Sequence, residues 1–251
     1  MAMTDWKSRA RAATLHLGIS MLVAASAAWL VFAVWYPYPY REISGGRELF
    51  TLVVSIDVIL GPLIIFNRSK PRAELVRDLA VVAMIQLAGL AYGLWSVYLA
   101  RPVHLVFELD RFRAVHAVDV PEELLQRAPP AVADLPRGGP TLVAVRPFVD
   151  EQERVAATIA AVQGLHIGAR PEFWQPYDRA TAQVLAKART AAQLPERFPA
   201  QAGEIRAAFA AAGLPADQMV YLPLVARRSF WTVLLDARSA RVVGYIPLDT
   251  L

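Results

Sequence analysis

The 251 residues contain no cysteine. A disulfide framework and a thiolate metal site are thereby excluded, and the redox compartment is not readable from cysteine usage. Enzyme signatures are missing too. There is no His-Glu-x-x-His helix, Gly-x-Ser-x-Gly elbow, phosphate loop or dinucleotide fingerprint, and His16, His104, His116 and His166 are isolated along the chain. No catalytic, cofactor-binding or metal-ligating residue is assigned, and no cofactor is expected. A strong positive field is lacking in the C-terminal part. The formal net charge is +4, yet residues 101–251 hold 17 Lys and Arg against 16 Asp and Glu, so a nucleic-acid partner is not expected.

Long apolar runs, by contrast, crowd the first hundred residues. The segments 14–36, 49–66 and 79–99 each approach the length needed to cross a bilayer core of about 30 Å. Lys7, Arg9 and Arg11 precede the first run against Asp5 alone, which keeps residues 1–13 in the cytoplasm. A cleaved signal peptide is the rival reading, since Ala24-Ala25-Ser26-Ala27 mimics a cleavage site, but the apolar run continues to Trp35 and Tyr36. Those aromatics, with Tyr38 and Tyr40, suit an outer interfacial belt, and Pro37 and Pro39 end the helix. Arg68, Lys70, Arg72 and Arg77 return the next loop to the cytoplasm. Three crossings then deliver residues 101–251 outside, into the periplasm of a Gram-negative cell, with 14–100 as a three-helix membrane region.

The C-terminal part starts without a linker and reads as an α+β domain. Val103–Leu109 and Phe112–Val118 flank a hairpin turn, although the turn lacks Gly and Asn. A short helix opens at Pro121-Glu122-Glu123, and a strand follows at Thr141–Arg146. Helical patterns run over 150–163, 177–193 and 200–211, the last closed by Gly213 and Pro215. Three strands at 219–225, 230–235 and 241–246 form a meander. The expected fold is thus three transmembrane helices followed by a soluble α+β domain with a mostly antiparallel sheet.

Within the membrane region Asp57 is the costliest residue, because an acid at a helix centre is unfavourable by about 2.5 to 3.5 kcal/mol. It has a hydrogen-bond partner in Gln86, whose depth differs by only about 3 Å at 1.5 Å per residue, or a polar or charged group on a partner helix, or a place in a proton or ion pathway. The last is weakened because His16 is the one other acid or base within the apolar runs. Gly61 and Pro62 kink its helix one turn away. Gln86, Gly89 and Gly93 share a face suited to close helix packing, and the sequence leaves open whether two copies pair there. In the domain, Glu108 and Asp110 beside Arg111 and Arg113 read as a solvated charged turn, and His104 and His116 as a cross-strand pair. Arg170, Phe173, Trp174 and Tyr177 form an aromatic, Pro-flanked segment that either fills the core or docks a partner.

Several stretches resemble the type IV pilin accessory proteins of the TfpX/TfpZ family. They are HLGIS at the first helix, WYPYPY, Asp57 followed by Gly61-Pro62, Gln86 with AYGL, RPVHLVFELDRF, GPTLVAVRP, RPEFWQPY and the ending VVGYIPLD. The resemblance implies an inner-membrane accessory protein, chaperone-like and non-enzymatic, with type IV pilin and membrane lipid as partners. It carries over no catalytic residue. A membrane-anchored periplasmic sensor or regulatory module is the alternative, weakened because the cytoplasmic side has no output domain.

Overall fold

The structure, a computed structural model, describes residues 2–48, 50–51 and 72–251. The chain divides into two compact units, Met1–Ala100 and Arg101–Leu251.

In the first unit, α1 (Ala2–Trp29) continues into a π-helical segment, Leu30–Trp35, ahead of the prolines that end it. The short α2 (Tyr40–Ile43) and the long α3 (Arg72–Leu99) follow. Three membrane crossings are not what this unit supports. Among the described residues one segment, Leu17–Trp35, is long and apolar enough to cross a membrane. Among the described residues the apolar stretch of α3 is the shorter Ala83–Leu99, about 25 Å at 1.5 Å per residue. The expected crossing at 49–66 lies outside the described residues except for Phe50 and Thr51. Among the described residues, the expected multi-pass topology gives way to one candidate anchor near the N-terminus. The aromatic belt is corrected as well. Tyr38 is exposed, but Tyr36 and Tyr40 are buried, and Tyr36 donates its hydroxyl to the Val97 carbonyl at 3.0 Å.

The second unit is built on an eight-stranded mixed sheet. Its elements are β1 (Pro102–Glu108), β2 (Arg111–His116), a 3-10 turn at Ala117–Asp119, α4 (Glu122–Leu125), β3 (Thr141–Val145) and α5 (Glu151–Val162). Then come β4 (Trp174–Pro176), α6 (Thr181–Lys187), β5 (Arg189–Thr190), α7 (Leu194–Arg197), α8 (Ala202–Ala212), β6 (Met219–Val225), β7 (Phe230–Asp236) and β8 (Val242–Ile246). The strand order is β4-β3-β1-β2-β6-β7-β8, with β5 added to β6. The hairpin and the β6-β7-β8 meander are antiparallel as their short connections require, whereas β1 with β3 and β2 with β6 are parallel. Five of the seven pairings are antiparallel, and the two parallel seams correct the expectation to a mixed sheet, because the long connections after β2 return the chain beside strands already laid down.

Local chemistry places these elements. Leu109, at the hairpin turn, takes φ 57°, a conformation costly for a residue with a Cβ. Asp150 caps α5 by accepting the Glu153 N–H at 2.7 Å. Gly213, at φ 69°, closes α8 as an αL residue does. The expected helix over 177–193 is broken at Ala188, whose extended backbone lets Arg189 and Thr190 pair with Tyr221 and Val220. One apolar cluster gathers Val106, Val143, Ile167, Phe173 and Trp174. A second gathers Leu194, Ile205, Met219, Leu234 and Ile246. All seven residues of β1 are buried, as befits a strand inside a sheet covered on both faces.

Candidate functional site

The parallel seam between β2 and β6 is short. It pairs Phe112 with Leu224 and Arg113 with Val225. The chain then turns at Ala226, which bonds the Ser229 carbonyl, while β2 runs on to His116. Where the strands part, a cleft of about 550 Å³ opens, with Arg113, His116, Asp119, His166 and Arg227 among its lining residues. Its centre of charge is Asp119. The 3-10 turn returns this carboxylate to β2, where the His116 N–H and the His116 imidazole each meet it at 3.1 Å. Arg227 donates to its other oxygen at 2.6 Å. Burial raises the Asp119 pKa, but the His116 hydrogen bond, the His116 charge and Arg227 together hold it below the ordinary carboxylate value.

Arg113 links the cleft to a buried hub. Its Nε donates to Glu108 at 2.5 Å, and the second Glu108 oxygen accepts the Gly168 N–H at 2.7 Å. The Gly168 carbonyl in turn accepts from Trp174 Nε1 at 2.8 Å. Gly168 is required by close approach, since a Cβ there would stand 2.7 Å from Glu108 Oε2. Glu108, 5% exposed, is thus no part of a solvated turn; that description fits Asp110 and Arg111 alone. His104 and His116 do not face each other either, because a register shift between Pro102 and His104 sets His104 opposite Val115.

His104 instead bonds Thr141 Oγ1 at 2.8 Å through Nδ1 and meets the Trp174 ring edge to face at 4.5 Å. Burial pushes its pKa down to about 4, against the opposing effect of the Thr141 hydrogen bond. The folded state therefore holds His104 neutral where the unfolded chain, with the ordinary value near 6.5, takes up a proton. Its contribution is complete above about pH 6.5 and lost as pH falls toward 4, amounting to about 3 kcal/mol at most. Urea midpoints measured between pH 7 and 4 should fall in wild type and fall less in His104→Gln. Glu153 acts at lower pH. Arg146, bonded at 2.7 Å, and the Val149 N–H hold its carboxyl at about 2, so its contribution is lost between about 4.5 and 2.

The residues singled out from sequence fall in three places. Asp57, Gly61 and Pro62 lie outside the described residues. On α3, Gly93 is buried and Gln86 half-buried, whereas Gly89 is exposed with open space where a Cβ would stand, so the two glycines do not share one packed face. In the 170–177 segment, Phe173 and Trp174 are core residues with 2% and 0% exposure. Arg170 is half-buried, held by Glu172 at 2.6 Å with its guanidinium 4.4 Å from the Phe173 ring centroid. Tyr177 donates to the Ala240 carbonyl at 2.8 Å, and burial raises its pKa. The cleft and the hub were missed. Two local signals point to them: Glu108 and Arg113 are diagonal neighbours across a two-residue hairpin, and Asp119 follows His116 at capping spacing.

Comparison with known proteins adds the context for these features. The profile of the fimbrial assembly protein FimB family matches residues 4–45. The chain is 37% identical over 245 residues to the fimbrial assembly protein of serogroup I from Dichelobacter nodosus, covering 96% of this chain and 95% of that protein. The serogroup E1 protein of the same organism matches to the same extent. A third fimbrial assembly protein of that organism, from serogroups C1 and C2, is 42% identical over 125 residues, 49% of this chain and 93% of its own length. No solved structure matches significantly. With identity of this order along nearly the whole length of both chains, the chain belongs to the fimbrial assembly protein family.

Proposed function

We propose that the protein is a membrane-anchored, non-enzymatic accessory factor that supports type IV pilin stability or its passage into the growing fimbria, as the narrower TfpX/TfpZ resemblance implies. The observation that carries this reading is the full-length similarity to the fimbrial assembly proteins of Dichelobacter nodosus. The apolar segment Leu17–Trp35 supplies the anchor, and Lys7, Arg9 and Arg11 hold the N-terminus in the cytoplasm, with residues 101–251 in the periplasm. The mechanism is protective packing. A pilin waiting in the bilayer exposes a helix face and polar groups, and a transient partner covers them. Asp57, Gly61, Pro62, Gln86 and Gly89, all beyond the anchor, are the proposed contacts of the first unit with the part of the pilin outside the bilayer, and Arg170 and Tyr177 those of the second.

Photoreactive residues placed at positions 57 and 177 in cells should crosslink mainly to pilin. Asp57→Ala should lower surface fimbriae severalfold while the protein itself still accumulates. A stable mutant with normal fimbriation would confine Asp57 to a structural role, and absence of any pilin adduct from both positions would sink the accessory reading.

A further inference from the structure

The cleft between β2 and β6 is rich in donors and poor in acceptors. Asp119 is the one acid among its described lining residues, against Arg113, Arg227, His116 and His166. Each arginine offers five N–H groups, of which Arg113 commits Nε to Glu108 and Arg227 commits Nη2 to Asp119. His116 is 1% exposed, and its Nε2 has no partner among the described residues. How Asp119 is held shows what these groups accept. One carboxylate draws a backbone N–H, an imidazole nitrogen and a guanidinium at once. The cleft also has walls a bare anion would not use, formed by Val118, Ala169 and Val225. Its volume of about 550 Å³ lies within the range of ligand-binding clefts.

We propose that this cleft binds an acidic peptide segment of a partner protein, a carboxylate side chain pairing with Arg227 and Arg113 while flanking small apolar residues lie against Val118, Ala169 and Val225. Arg227 is the adjustable member, because its side chain is 44% exposed and it sits in the turn after β6, outside the apolar clusters. Arg113 is the fixed member, held by the buried Glu108. The inference stands on the chemistry of the cleft and not on the assembly role: binding is read with purified protein, whereas fimbriation is read in cells.

The test uses the full-length protein in detergent micelles and a fluorescent hexapeptide with two glutamates between alanines and valines, alongside its twin with glutamines in their place. Fluorescence anisotropy should show saturable binding of the glutamate peptide and about tenfold weaker binding of the twin, as expected for loss of charge-assisted hydrogen bonds. Arg227→Gln should weaken the glutamate peptide about tenfold with an unchanged melting temperature. Arg111→Gln, an arginine on the hairpin outside the cleft lining, should leave binding intact. Equal binding of the two peptides, no saturation, or wild-type affinity in Arg227→Gln would each overturn the proposal. So would complete displacement by equimolar inorganic phosphate, which would make the cleft a site for free anions.

Discussion

Glu108→Ala is expected to destabilise the 101–251 unit by about 3 kcal/mol, the lower end of the range for removing one partner of a buried ion pair, because Arg113 keeps some contact with water. Two groups lose their acceptor together. The Arg113 guanidinium, with its side chain 20% exposed, loses the carboxylate at 2.5 Å, and the Gly168 N–H loses its acceptor at 2.7 Å. Thermal unfolding of the full chain, followed by circular dichroism of the β-sheet, should show a midpoint lower by about 10 °C for a unit of this size. Replacing the ion pair by two apolar residues should recover only part of this, since the buried Gly168 N–H would still lack an acceptor, at about 1 to 3 kcal/mol. A double replacement that regained wild-type stability would show that Glu108 serves Arg113 alone.

The hub also marks the limit of what local sequence reading reaches. The β1–β2 hairpin, the Asp150-capped helix, the Gly213 stop and the C-terminal meander were legible because each is decided by residues within a few positions of one another. Glu108 was misread as solvated for the same reason. Its neighbours Asp110 and Arg111 are exposed, and nothing nearby reveals that Gly168, sixty residues on, supplies the N–H that draws the carboxylate inside. The parallel seams were missed likewise, since Arg113 and Val225 meet only after α8 and the preceding helices have been packed. The membrane region erred in the opposite direction. The run 79–99 was counted as a crossing, whereas the described apolar stretch of α3 is Ala83–Leu99, shorter than the one candidate span Leu17–Trp35. The aromatic segment 170–177 left two readings open, and the burial of Phe173 and Trp174 assigns those two rings to the core.

That burial makes Trp174→Ala the other large effect, about 3 to 5 kcal/mol, which joins the cavity left by a fully buried indole to the loss of its N–H. The comparison with Trp174→Phe separates the two contributions. Phenylalanine restores much of the volume but leaves the Gly168 carbonyl without the donor now at 2.8 Å, so it should cost about 1 to 3 kcal/mol. Trp174 and Glu108 grip opposite ends of the same residue, Gly168, and so their substitutions should not add: a double-mutant cycle should give a coupling of about 0.5 kcal/mol or more. His104 supplies an independent readout. Its ring lies 4.5 Å from the indole, and burial is what drives its pKa down to about 4. Opening a cavity there admits water, so in Trp174→Ala the imidazole should titrate closer to its ordinary 6.5, and the fall in stability between pH 6.5 and 4 should flatten. A His104 ring signal that titrated identically in both proteins would show that the rest of the core, rather than Trp174, keeps water away from it.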